Sequence, residues 1–151
     1  MLYYNLPLNI MLNIVSKKLN IIKKDEGSIY PILKSCSEHF KGFGEVYISS
    51  INSNVSRAWK KHKNSYQYFV VPIGEVKFVF LIEEEKNHHF KEIIIGETNY
   101  SFIKIPNNIW YGFKNISQNT SFIVNVIDQP YNPSQAESID IDKFPFKGYN
   151  W

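Results

Sequence analysis

Residues Gln67 to Ile82 read QYFVVPIGEVKFVFLI. Two runs rich in β-branched and aromatic residues, Tyr68–Ile73 and Val76–Ile82, meet at Gly74. That is the pattern of two strands joined by a tight turn, a hairpin. Neither run shows the 3.6-residue stripe of an amphipathic helix. Working outward, similar short runs predict strands at Leu19–Lys23, Ile29–Leu33, Glu45–Ser50, Val55–Trp59, Phe90–Ile95, Phe102–Ile105, Trp110–Phe113 and Ser121–Ile127. Turn residues separate them, as at Asp25-Glu26-Gly27-Ser28, Asn52-Ser53-Asn54 and Pro106-Asn107-Asn108. The one expected exception is a short helical turn near Tyr30–Phe40. Ten or so short strands in 151 residues imply a sandwich or a barrel. The expected fold is all-β, a double-stranded β-helix jelly roll forming one domain over 1–151. Residues 1–10 are expected as a flexible extension, and 132–151, rich in Pro, Asn and Asp, as a C-terminal tail.

Composition narrows the function. Hydrophobic residues make up 44% and charged residues 21%, so the chain can bury a core and is not a disordered segment. Seventeen basic against 14 acidic residues leave +3, too mild a balance to imply nucleic acid. Among those 17, Arg57 is the single arginine. Cys36 is the single cysteine, so no intramolecular disulfide can form, which suits a reducing, cytoplasmic setting. The apolar start, Met1–Val15, is broken by Asn5, Pro7, Asn9 and Asn13. It is too short and polar to span a bilayer and lacks the basic region of a signal peptide.

The densest polar stretch is Arg57-Ala58-Trp59-Lys60-Lys61-His62-Lys63. Strand alternation turns Arg57, Trp59 and Lys61 one way and Lys60 and His62 the other. One reading is a lysine-protected edge strand. The other is an anion site, because a guanidinium grips a phosphate through two parallel hydrogen bonds and a lysine cannot. Trp59 beside it would then stack on a base or sugar. A metal is not expected: Lys60 stands two residues before His62 where a His-x-His pair would need histidine. Tyr111 likewise stands where a later ligand would be wanted, and His88-His89 are adjacent in a polar loop. The candidate acid–base groups are His62, Lys60, Glu45, Tyr111 and Asp128. No Gly-rich phosphate loop, nucleophile elbow or Cys–His pairing is present.

From about Asp25 to Ile141, several segments in order resemble the dTDP-4-dehydrorhamnose 3,5-epimerase family, a family of cupin jelly rolls acting on nucleotide-linked 4-keto sugars. Asp25-Glu26-Gly27 resembles its opening turn. Phe43-Gly44-Glu45-Val46-Tyr47-Ile48-Ser49 followed by Arg57 resembles its Phe-x-Gln-x-Asn-x-Ser…Arg segment. Arg57-Ala58-Trp59-Lys60 stands where the family has Arg-Gly-Leu-His. Gln67 to Val76 follows its strand–Gly–strand. Pro106 to Phe113 resembles its Pro-x-Gly-Phe-Ala-His-Gly-Phe. Tyr131-Asn132-Pro133…Glu137 resembles its Tyr-x-Pro-x-x-Glu. The chain departs at the chemistry. The family's catalytic His falls on Lys60, its second His on Tyr111, its catalytic Tyr on Asn125 and its active-site Lys on Gln67. An arginine that meets the nucleotide phosphates falls on Glu26. Trp59-Lys60-Lys61-His62, Gln67 and Trp110-Tyr111-Gly112-Phe113 are similar to a divergent branch of the family.

The resemblance implies an epimerase or isomerase of a nucleotide-diphosphate 4-keto-6-deoxy sugar, serving surface-polysaccharide biosynthesis. The ketone acidifies the neighbouring C–H, so a base and an enolate stabiliser suffice and no cofactor is expected. Lys60 or His62 is expected as base and Tyr111 as proton donor. Arg57, Trp59, Glu45, Tyr47, Gln67, Asn125 and Tyr131 are expected to bind substrate. The expected partners are the nucleotide sugar and a second copy of the chain. The alternatives are a barrel that binds nucleotide sugars without turning them over, and a plain interaction module.

Overall fold

The computed structural model describes residues 14–151. The expected extension over residues 1–10 lies outside the described residues. Two five-stranded antiparallel sheets face each other. In chain order the strands are β1 (Val15–Lys18), β2 (Ile22–Lys24), β3 (Gly27–Ile29), β4 (Glu45–Ile51), β5 (Ser56–His62) and β6 (Gln67–Ile73). They continue as β7 (Glu75–Glu83), β8 (His88–Gly96), β9 (Ser101–Ile105), β10 (Tyr111–Asn115), β11 (Ser121–Ile127) and β12 (Ala136–Ser138). The first sheet runs β1-β9-β6-β11-β4 and the second β12-β5-β10-β7-β8, with β2 and β3 as a separate ribbon. The expected all-β jelly roll is observed.

The Gln67–Ile82 stretch forms two strands, but they are not a hairpin. β6 pairs with β9 and β11, whereas β7 pairs with β8 and β10. Gly74, at φ 86°, carries the chain from one sheet to the other. A Cβ there would lie 2.0 Å from Ser121 Oγ, so only glycine fits. Strand propensity cannot separate a hairpin turn from a corner between sheets, because both need apolar runs around a permissive residue.

Other expectations shift at their edges. Past Ile29 the chain leaves β structure, so Ile29–Leu33 is not a strand. Tyr30–Phe40 holds two hydrogen-bonded turns, Ser37 N to Lys34 O and Phe40 N to Ser37 O, and no helix. β12 comes from a segment expected as tail.

Two apolar clusters result. Between the sheets, Phe69, Val71, Phe78, Phe80, Ile95, Ile103 and Ile123 form the main core. On the outer side of the second sheet, Trp59, Val79, Leu81 and Trp110 meet Phe144, Phe146, Tyr149 and Trp151. The tail is therefore a packed layer over β5, β7 and β10. Its strand β12 pairs with β5, and Trp59 and Ile139 exchange backbone hydrogen bonds of 2.7 and 3.0 Å.

Candidate active site

The site is built on β5, and the register of β5 against β10 decides it. Phe113 lies opposite Arg57 and Tyr111 opposite Lys60. Between them, Ala58 and Trp59 together face the lone Gly112, which makes a β-bulge. Gly112 is required there: its Cβ would come within 2.4 Å of Ala58 Cβ and 2.6 Å of the Trp151 ring. The extra residue shifts the phase of alternation. Arg57, Lys60 and His62 therefore all point between the sheets, like Phe113 and Tyr111. Trp59 and Lys61 point outward.

This corrects the alternation read from sequence, which paired Arg57 with Trp59. The indole of Trp59 is buried, stacked on Phe144 at 4.4 Å and flanked by Phe90 and Trp151. Its ring is taken up by tail and core aromatics, although Trp59 with Ala58 also borders a cavity shared with Arg57 and Lys60. Lys61 lies over the Trp110 ring at 4.7 Å, and Glu137 bridges it to Lys63. These groups belong to the tail layer.

Facing β5 from the first sheet are Glu45, Tyr47 and Ser49 on β4. In register beside them lie Asn125 on β11 and Gln67 on β6. The Asn125 amide donates to Tyr47 Oη at 2.7 Å and to Gln67 Oε1 at 2.9 Å. This amide bridge ties the phenol of Tyr47 to the first sheet while leaving its O–H free to donate elsewhere. Gln67 Nε2, Asn125 Oδ1 and His62 Nε2 are buried without a protein partner. Such orphaned groups are costly unless water or a ligand meets them.

Two cavities adjoin the set. The first, about 380 Å³, is bordered by Tyr47, Ser49, Arg57, Lys60, Tyr111 and Phe113, with Asp140 of the tail at its edge. The second, about 520 Å³, is bordered by His62, Asn64, Ser65, Gln129, Tyr131 and Gln135. Lys60 and His62, two residues apart on one face of β5, mark the step between them. Glu45 acts electrostatically on both Lys60 and Tyr47. Tyr131, expected to bind substrate, stands 58% exposed on the second cavity's wall.

The charge states follow from burial. Desolvation lowers the Lys60 pKa, against the opposing pull of Glu45. Desolvation, with the Lys60 cation adding to it, lowers His62 to about 4, so its imidazole is neutral near pH 7. Desolvation raises Tyr111 strongly and Tyr47 more mildly, and both are protonated phenols. Tyr111 lies beside His62, with ring centroids 6.3 Å apart. Arg57 is exposed, and among the described residues it forms no ion pair with a carboxylate. The arrangement offers an ammonium and two phenols around the first cavity with a guanidinium at its mouth, and a neutral imidazole on the wall of the second, two residues along the same strand. That set can move a proton to and from carbon while holding an anion.

Asp128, an acid–base candidate from sequence, is elsewhere. Its carboxylate accepts from Tyr66 N at 2.9 Å and feels Lys104. Among the described residues no three His, Cys, Asp or Glu side chains gather as a metal site. No described helix is long and apolar enough to cross a membrane.

No protein-family model matches the chain. It is 27% identical over 135 residues to the probable low-salt glycan biosynthesis epimerase Agl13 of Haloferax volcanii, covering 86% of this chain and 85% of that one. Its fold is similar to a dTDP sugar isomerase from Desulfovibrio desulfuricans, with TM-score 0.82 and 27% identity over 91% of this chain and 93% of that one. It also matches the dTDP-4-dehydrorhamnose 3,5-epimerase of Sulfolobus tokodaii, with TM-score 0.74 and 18% identity over 95% and 85% of the two chains. The fold is that of the cupin jelly rolls. The resemblance read from the sequence holds: the chain is related to the dTDP-sugar epimerases and isomerases and shares their cupin fold.

Proposed function

We propose that the protein is a nucleotide-sugar epimerase or isomerase acting beside the ketone of a dTDP-linked 4-keto-6-deoxy sugar, in surface-polysaccharide biosynthesis. The observation that carries this reading is the bulge at Ala58-Trp59. It puts Arg57, Lys60 and His62 on one interior face, opposite Glu45 and Tyr47. His62 Nε2, unpaired and neutral, takes the proton from carbon next to the ketone. The C–H electron pair moves onto the carbonyl oxygen, and the Lys60 ammonium stabilises the enolate. A phenol then returns a proton to carbon. Tyr47 reaches from the sheet opposite His62, the side that inversion requires, while Tyr111 lies on the side of His62 itself. Arg57 grips the diphosphate. This division of roles assigns the base to His62 rather than Lys60, supported by its buried, unpartnered and neutral imidazole.

The test is solvent deuterium uptake by dTDP-4-keto-6-deoxyglucose. The native protein is expected to exchange the hydrogens flanking the ketone. His62→Gln and Lys60→Met are each expected to slow exchange by about a hundredfold or more. Absence of exchange with the native protein, alongside saturable dTDP binding, would favour the second reading, a barrel that binds nucleotide sugars without catalysis. That reading draws on Gln67 and Asn125, which stand at the family's Lys and Tyr positions and hydrogen-bond to each other.

A homodimer in the cytoplasm completes the proposal. Among the described residues β4 is the open edge of its sheet, and Phe43 just before it, Val46 and Ile48 are all more than half exposed. An unpaired edge carrying apolar residues calls for a cover, and a second copy supplies one. A twofold mass by light scattering, lost on Ile48→Lys, is the expected outcome.

A further inference from the structure

The second cavity differs from the first in one chemical respect: no lining group carries a formal charge. Its polar groups are the side-chain amides of Asn64, Gln129, Asn132 and Gln135, the hydroxyls of Ser65 and Tyr131, and the imidazole of His62; the Asn132 carbonyl is already taken by Ser134. His62 is only 5% exposed, and its Nε2 has no partner there. Asn64 Nδ2 donates to Gln135 Oε1 at 2.7 Å, which ties the two amides together at the rim. The backbone holds this wall in place through Lys63 N to Gln135 O at 2.8 Å.

A diphosphate is poorly held in such a pocket, because its charge has no cation to pair with there and is better left in water. The first cavity has both Arg57 and Lys60. A hexose is the opposite case. It is neutral and presents hydroxyls that both donate and accept, which amide side chains match one for one. Resting on the epimerase reading above, we propose that the second cavity is the hexose subsite, holding the far edge of the sugar through Gln129 and Gln135. The diphosphate and nucleoside then lie toward Arg57, and the reacting carbon lies at the step between Lys60 and His62. These amides would thus choose among sugars, while the first cavity would accept any nucleotide sugar carrying the same diphosphate.

The experiment is calorimetric titration of the full chain with two probes, dTDP and dTDP-glucose. For Gln129→Leu and, separately, Gln135→Leu, dTDP affinity is expected to stay within twofold of the native value. The dTDP-glucose affinity is expected to fall about fivefold to tenfold, one lost hydrogen bond's worth. Arg57→Ala is expected to weaken both probes together. Equal weakening of both probes by the glutamine variants would overturn the proposal and put the nucleotide in the second cavity. No weakening of either would leave the cavity without a ligand role and overturn it too. If the native protein binds neither probe, the nucleotide-sugar reading itself fails. Thermal unfolding midpoints matching the native protein exclude misfolding as the cause, and the two glutamines provide independent trials.

Discussion

The two faces of β5 are built from one stretch of seven residues and do opposite work. The outer face carries Trp59 and Lys61 into a dry layer of aromatic rings beneath the tail. The inner face carries Arg57, Lys60 and His62 into a space lined by hydroxyls and amides. One face buries Trp59 among rings and pairs Lys61 with Glu137 at its margin, and the other keeps polar atoms unpaired while buried. The contrast teaches that packing energy on one side of β5 can offset the cost of unpaired buried groups on the other. Stability and chemistry are thus divided across a single sheet thickness, and each can be attacked alone.

The heaviest blow should fall on the outer face. Phe144→Ala removes the ring stacked on Trp59, and it is expected to cost about 3–5 kcal/mol in urea unfolding. The protein that remains folded should still bind dTDP. A comparable effect is expected on the inner face from acid. An unfolded imidazole titrates near 6.5 but His62 only near 4, so the unfolded chain binds more protons between those values. Stability should therefore fall as pH drops from about 6.5 to 4, by about 3 kcal/mol at most. His62→Gln should flatten that limb of the pH–stability profile. If the limb persists in the variant, another group titrates there.

Gly112→Ala tests the join between the faces. Its methyl meets Ala58 and Trp151 at once, and the expected cost is about 1–3 kcal/mol. Here, unlike with Phe144→Ala, dTDP binding should weaken along with stability, because the bulge itself aims Arg57. The smallest change is expected from Tyr47→Phe, which removes the acceptor for Asn125 and should lower stability by about 1 kcal/mol. Its larger signature should be slower deuterium exchange with unchanged dTDP affinity.

The strands and their all-β assembly were legible because alternating apolar runs between Gly, Asn and Pro turns leave few alternatives. Lys60, His62, Glu45, Tyr47, Gln67, Asn125 and Tyr111 could be gathered from sequence, in part through the family resemblance. The role of Trp59 was not legible. Strict alternation assigns it to the face of Arg57, and only the pairing with Gly112 reveals the extra residue. A glycine opposite a tryptophan-bearing strand was the available signal, and it is ambiguous without the register. The tail was equally hidden: Phe144, Phe146, Tyr149 and Trp151 have no regular spacing, and their packing depends on a surface formed by three other strands. The amide-lined cavity escaped notice because Asn64 comes from the β5–β6 loop and Gln129 and Gln135 from the distant β11–β12 connection.

The corner at Gly74 has a consequence for how the chain reaches this state. β6 and β7 are adjacent in sequence, yet neither can pair with the other. β6 must wait for β9 and β11, which emerge later from the ribosome, while β7 can close early on β8 across the short Glu84–Asn87 turn. The β7–β8 ribbon, whose strands are nearest in sequence, is thus expected to form first, with the sheet bearing Gln67 and Asn125 following it. With most pairings this distant, refolding is expected on the millisecond-to-second scale typical of all-β topologies. During that interval the Tyr68–Ile73 run stays unpaired, the segment most exposed to mispairing with other copies.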